Sequence, residues 1–115
     1  MPKQIPALDG VFHALSDSTR RRVVQRLSRG PATVSELAEP FDMALPSFMQ
    51  HLRVLERSGL VASSKAGRVR TCRIRPREMV RAENWIAEQR ARWEERFDRM
   101  EAYLDGLQAD EGVDD

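Results

Sequence analysis

Cysteine, histidine and aromatic side chains are scarce in this chain of 115 residues, and long apolar runs are missing altogether. A lone Cys72 cannot close a disulfide within the chain, which suits a reducing compartment. With only Cys72, His13 and His51 as soft or imidazole ligands, one subunit cannot assemble the roughly four such groups of a structural zinc or thiolate site, so no metal is expected. No apolar stretch approaches the roughly 20 residues that span a bilayer, and the N-terminus lacks the basic and apolar regions of a signal peptide. The simplest inference is a cytoplasmic protein without a membrane partner. There is no glycine-rich phosphate loop, nucleophile elbow or metalloprotease pattern, so neither catalysis nor a cofactor is expected.

What is abundant is charge, 32% of residues, and it is unevenly placed. Residues 1–77 carry 14 Lys and Arg against 6 Asp and Glu, whereas residues 78–115 carry 5 against 12. The small net charge of +1 thus hides a basic body and an acidic C-terminal part. Such a division suggests a face for a polyanion kept apart from a segment used for assembly.

The stretch Pro46–Leu60 organises the rest. At about 100° per residue, a helix here places Phe48, Leu52 and Leu55 on one side and Pro46, Gln50, Arg53 and Arg57 on the other. The second face carries an amide and two guanidiniums, groups that contact base edges and phosphates, although a merely solvated face has the same composition. Gly59 is expected to end this helix in the left-handed conformation.

Upstream, the chain looks frayed through Gln4, and Pro6 can open a short helix bearing Leu8, Val11, Phe12 and Leu15. Asp17 or Ser18 can cap a second helix to about Arg29, stopped by Gly30-Pro31, with Val23, Val24 and Leu27 inward. Its arginines suggest a solvated face, those near the start being candidate phosphate contacts. Thr33-Val34-Ser35-Glu36 is a capping box that starts a third helix, limited by Pro40 to little more than two turns. Neither Ala44 nor Leu45 offers a side-chain acceptor, so the amides opening the next helix stay available to water or a phosphate. Two short helices joined by a tight turn make a helix-turn-helix.

Downstream, Leu60–Lys65, a turn at Ala66-Gly67 and Arg68–Ile74 read as a hairpin. Lys65, Arg68, Arg70, Arg73, Arg75 and Arg77 crowd it with no acidic residue between, which suits a wing lying along a phosphate backbone. Charge that protects an edge strand would explain one or two of these residues but strains at six. After Pro76 one long helix is expected over 77–107, about 45 Å at 1.5 Å per residue. Ile86, Trp93, Met100 and Leu107 recur every seven residues, and Ala82, Phe97 and Leu104 extend the stripe, which Arg90 interrupts. Packing of this stripe against a second copy is expected; folding back on its own domain is the alternative. The expected organisation is one domain over 1–108 with a disordered acidic tail, 109–115.

Order and residues together resemble the arsenical-resistance repressor (ArsR) family of winged helix-turn-helix regulators. The resemblance covers roughly residues 8–107 and rests on Ala14-Leu15-Ser16-Asp17-Ser18-Thr19-Arg20-Arg21, Val34-Ser35-Glu36-Leu37-Ala38, His51–Val61 and the wing-tip Gly67-Arg68. It implies a mainly α fold with a small β-hairpin, and a homodimer paired through its first and last helices. It also implies two recognition helices in successive major grooves of a near-palindromic operator.

Two departures bear on specificity. Met49 stands where the family usually has serine, and Ala44 where it often has a serine cap. Met49 either presses on a thymine methyl or packs at the helix edge. The third helix offers Thr33, Val34 and Ser35 rather than the family's cysteine pair, and the last helix has no histidine, so a repressor without a metal sensor is expected.

The expected DNA contacts are Pro46, Ser47, Met49, Gln50, Arg53, Arg57, Arg68 and Arg70, on double-stranded DNA. The expected dimer contacts are Leu8, Val11, Phe12, Ile86, Trp93, Phe97, Met100 and Leu104. His51, at the margin of the buried face, is expected to be packed or hydrogen-bonded rather than a switch. Cys72 is expected to be a small buried side chain rather than a redox sensor. The competing function is a winged-helix dimerisation module that binds a protein through the same basic surface. The sequence names no operator and no small-molecule effector.

Overall fold

A computed structural model describes residues 7–113, with side chains to residue 109. The frayed start and Pro6 lie outside the described residues, as do the last two residues of the expected tail. The elements in order are α1 (Ala7–Leu15), α2 (Ser18–Leu27), β1 (Ala32–Thr33), α3 (Val34–Ala38), α4 (Leu45–Arg57), β2 (Val61–Ala66), β3 (Val69–Ile74) and α5 (Pro76–Val113).

Local chemistry accounts for most boundaries. Asp17, in extended backbone, accepts the Arg20 amide at 3.1 Å and so is the cap of α2. At α3 the capping box closes reciprocally: Thr33 Oγ1 accepts the Glu36 amide at 3.1 Å, and Glu36 Oε1 accepts the Thr33 amide at 2.8 Å. The bond from the Thr33 amide, with a smaller contribution from the Thr33 hydroxyl, holds the Glu36 carboxyl below the usual carboxylate range. α4 carries Pro46 in its first turn and has no side-chain cap at Ala44. It ends at Ser58, followed by Gly59 at φ +84°.

One strand was not legible in the sequence. Ala32 and Thr33 pair antiparallel with Cys72 and Thr71, so the expected hairpin is part of a three-stranded sheet ordered β1-β3-β2. Two residues cannot display a strand periodicity; β1 forms because the segment leading into α3 runs along the open edge of β3. The hairpin turn is also one residue later than expected, at Gly67-Arg68, with Ala66 paired to Val69.

The core draws on nearly every element of the winged body: Val11 and Ala14 from α1, Val23 and Leu27 from α2, Leu37 from α3, Phe48, Leu52 and Leu55 from α4, then Leu60, Val61, Cys72 and Ala82. Full burial of an apolar side chain of this size contributes about 2 kcal/mol. Val11 thereby leaves the set of expected dimer contacts. Its side chain is wholly buried in its own chain, because α1 packs against both α2 and α4.

α5 is longer than expected at both ends, beginning at Pro76 and continuing past Leu107 to Val113. Residues 109–113 of the expected disordered tail are therefore helical; only Gly112 among them is a poor helix former. The chain divides into two compact units, with the boundary between Ala82 and Glu83, just past the last buried residue of α5.

Gly59 generates a stability prediction. A Cβ there would adopt a left-handed φ and meet Glu78 Cγ at 2.9 Å. Gly59→Ala should cost about 2–3 kcal/mol in urea unfolding. Adding Glu78→Ala should recover only the steric part. Gly67→Ala should cost about 1 kcal/mol, since Gly67 shares the positive φ (+62°) but has nothing within 4 Å of a Cβ.

A second prediction concerns acid stability. Burial alone pushes the Asp17 carboxyl up, but the Arg20 amide and the charges of His51 and Arg20 outweigh it and leave Asp17 below its ordinary 3.8. A depressed folded value means that the contribution is complete above the ordinary value and is lost as pH falls through the folded one. Asp17→Asn keeps a competent cap but cannot titrate. Its unfolding free energy should therefore fall less steeply than that of the wild type as pH is lowered below about 4.

Candidate nucleic-acid interface

α4 is the centre of the candidate site. Its apolar side is wholly buried, with Phe48 1% exposed and Leu52 and Leu55 0%. The opposite side leaves Pro46, Ser47, Gln50, Arg53 and Arg57 exposed. Because the helix axis is held by the core, the amide, hydroxyl and guanidinium groups of that face point outward together. At its start, the amides of Ser47 and Phe48 bond back to Ala44 O at 3.0 and 3.1 Å, and Ala44 supplies no side-chain cap.

The wing stands beside this helix. Between them lies a cleft of about 390 Å³, lined by Thr33, Val34 and Ser35 from β1 and α3, Met49 from α4, and Lys65, Arg68, Val69 and Arg70 from the hairpin. Met49 is half-buried at the edge of this cleft, packed against the core and lining the cleft at once. Arg68 is exposed at the turn itself. Lys65 pairs directly across from Arg70, which puts two cations on one face of the hairpin.

Arg70 is less available than expected. It is half-buried, and its Nη1 donates to Ser63 Oγ at 2.9 Å, while Ser63 Oγ donates to Glu56 Oε2 at 3.3 Å. The chain of bonds ties β3 to β2 and to α4. Lys65, Thr33 and Ser35 were not among the expected contact residues although they line the same cleft. The two-residue turn at Gly67-Arg68 sets the register that places Lys65; nothing in the sequence pattern brings α3 to the hairpin.

The arginines opening α2 also have internal roles. Arg20 Nε donates to Ala14 O at 2.7 Å and Nη2 to His13 O at 3.1 Å, and Arg21 Nη1 donates to Leu15 O at 2.8 Å. Both guanidiniums cap the last carbonyls of α1, which corrects their reading as candidate phosphate contacts. Arg22 lies 4.5 Å over the ring of Phe41.

His51 is three-quarters buried, hydrogen-bonded to Arg20 and close to Asp17. Cys72 is fully buried on β3. Burial pushes its thiol up, the Glu56 carboxylate adds to that, and Arg70 opposes both more weakly. The thiol is correspondingly unreactive. Among the described residues no three of His, Cys, Asp and Glu gather as a metal-binding group, and no helix is long and apolar enough to cross a membrane.

In the second unit, α5 presents Trp93, Phe97, Met100 and Leu104 at 51–59% exposure, with Ile86 at 48%. The Trp93 and Phe97 ring centroids lie 5.9 Å apart with the planes tilted by 30°, and Arg90, which interrupts the stripe, pairs with Glu94 at 3.6 Å. Leu8 and Phe12 of α1 are half-buried against the core of the winged body.

Comparison with known proteins agrees with this geometry. A family model described as a helix-turn-helix domain matches residues 15–64. The HTH-type transcriptional regulator Rv2034 of Mycobacterium tuberculosis is 41% identical over 68 residues, which are 59% of this chain and 64% of that protein. The chain thus spans just under two thirds of the length of that relative. The transcriptional repressor SdpR of Bacillus subtilis is 33% identical over 60 residues, 52% of this chain and 67% of its own length. A crystal structure of an ArsR family transcriptional regulator superposes with a TM-score of 0.75 at 57% identity, covering 82% of this chain and 97% of that one. With the winged helix-turn-helix geometry in place, these similarities identify the chain as a member of the ArsR family of transcriptional regulators, a family of regulators and not of enzymes.

Proposed function

We propose that this chain is a homodimeric, sequence-specific DNA-binding repressor that reads a near-palindromic operator in the cytoplasm. The observation that carries the reading is the exposed face of α4, where Ser47, Gln50, Arg53 and Arg57 stand clear of a fully buried opposite face. An amide and a guanidinium one turn apart can each make two bonds to a purine edge. Pro46 adds shape at the helix start and Met49 apolar contact at its margin. Arg68 at the wing tip, with Lys65 beside it, supplies phosphate contacts, which position the reader without specifying sequence. Arg70 serves the backbone indirectly, by holding the hairpin to α4 through Ser63.

Dimerisation is supported by the stripe of Ile86, Trp93, Phe97, Met100 and Leu104, whose exposure in a single chain is large for side chains of this kind. Leu8 and Phe12 would extend the interface from α1. A repressor role is supported by similarity to SdpR, itself named a transcriptional repressor.

Selection of bound duplexes from a random pool, at physiological salt and against nonspecific competitor, should recover an inverted repeat with half-sites about one helical turn apart. Recovery without enrichment would overturn the sequence-reading role and favour a protein partner for the basic face. Gln50→Ala with Arg53→Ala should lower operator affinity by about 2–5 kcal/mol while leaving the protein folded. Arg68→Ala should instead weaken all duplexes alike and reduce the salt slope by about one.

Sedimentation supplies a separate test of assembly. The wild type should sediment as a dimer at micromolar concentration, and Trp93→Glu with Phe97→Glu as a monomer. A monomeric wild type would remove the dimer from this reading.

A further inference from the structure

Recognition by a helix depends on how far it is rotated about its own axis: the core sets which side faces outward, and bonds at the helix margins can refine the angle. Phe48, Leu52 and Leu55 oppose both withdrawal and large rotation of α4, but apolar burial is non-directional and defines small rotations less sharply than a hydrogen bond does. A hydrogen bond at the margin of the helix resists rotation because it weakens steeply as its angle departs from linear. At about 100° per residue, His51 and Glu56 fall on the two margins between the buried face and the face of Gln50 and Arg53.

Both margins are bonded. On the wing side Glu56 is reached through Ser63 by Arg70. On the other side Nδ1 of His51 lies 3.1 Å from Nη1 of Arg20. The guanidinium has donors only, so in this bond Nδ1 is the acceptor, which the tautomer with its hydrogen on Nε2 allows. Arg20 is a stiff anchor because its Nε and Nη2 are already committed to Ala14 O and His13 O at the end of α1. Asp17 completes the arrangement: its Oδ2 accepts the Arg20 amide at 3.1 Å and lies 3.7 Å from the same His51 nitrogen. One arginine thereby joins the end of α1, the start of α2 and the margin of α4.

We propose that His51, held by Arg20, is a positioning residue for sequence recognition, setting the rotation of α4 that brings Gln50 and Arg53 to base edges without touching DNA itself. The inference rests on the DNA-reading function above. It separates two quantities: phosphate contacts tolerate small rotations of α4 and carry nonspecific binding, whereas paired bonds to a base edge do not tolerate them.

Two substitutions at one position isolate the bond. His51→Asn keeps an acceptor oxygen where Nδ1 stands, and His51→Leu fills similar space with none. Loss of one such bond should lower operator affinity about tenfold in His51→Leu, leave nonspecific affinity within about twofold, and be restored by His51→Asn to within about threefold of wild type. Where thermal unfolding shows that His51→Leu no longer folds, Arg20→Lys tests the same bond from the other side, since one ammonium cannot serve Ala14 O, His13 O and Nδ1 together; the same selective loss is expected. An unchanged operator affinity in the variant that lacks the bond, an equal loss on nonspecific DNA, or an equal loss in His51→Asn overturns the inference alone. A wild-type chain that prefers no duplex overturns the DNA reading and this inference with it.

Discussion

Burial of one side of α4 is the constraint from which the rest of the interface follows. Phe48, Leu52 and Leu55 occupy the centre of the core, with the Phe41 ring 5.7 Å from that of Phe48. At about 2 kcal/mol for each fully buried side chain, turning the helix to hide Gln50 and Arg53 instead would forfeit several kcal/mol and bury polar groups without partners. The outward face is thus a consequence of the inward one. Its neighbours are placed by the same core: Leu37 anchors α3 before it, while Leu60 and Val61 start the wing after it.

Around that centre, arginine has two physically distinct uses. Arg20 and Arg21 terminate α1, Arg22 lies over Phe41, and Arg70 binds the hairpin to α4 through Ser63. Arg53, Arg57 and Arg68 are exposed on α4 and at the wing tip. A guanidinium suits both uses because its five donors lie in a rigid plane that can serve several carbonyls or a phosphate equally well. The basic surplus of residues 1–77 is therefore not all available to a polyanion, and part of it is architecture.

The second unit obeys a different logic. Beyond Ala82 large apolar side chains of α5 are exposed, and the Arg90 that interrupts their stripe is paired with Glu94. A helix with this pattern is stabilised mainly by burying its stripe against something, since propensity and pairs four residues apart contribute only tenths of a kcal/mol each.

Much of this was determined by the sequence alone, wherever the cause is local. Helix periodicity placed Phe48, Leu52 and Leu55 inward, the Thr33 to Glu36 box started α3, Gly59 ended α4, and the run of basic residues after it marked the wing. These signals act over three to seven residues and survive without a fold. Tertiary structure decided what depends on distant partners. β1 has two residues and exists only because β3 offers an edge. Val11 belongs to the core rather than to an interface because α2 and α4 lie against α1. Arg20, Arg21 and Arg70 are the same residue type as arginines with no such partner nearby among the described residues, and only the position of a carbonyl or a hydroxyl beside each guanidinium gives them their roles. The reason is the same in every case: periodicity and caps are written in neighbouring residues, whereas the partner of a long side chain is chosen by whichever group the folded chain brings within about 3 Å of it.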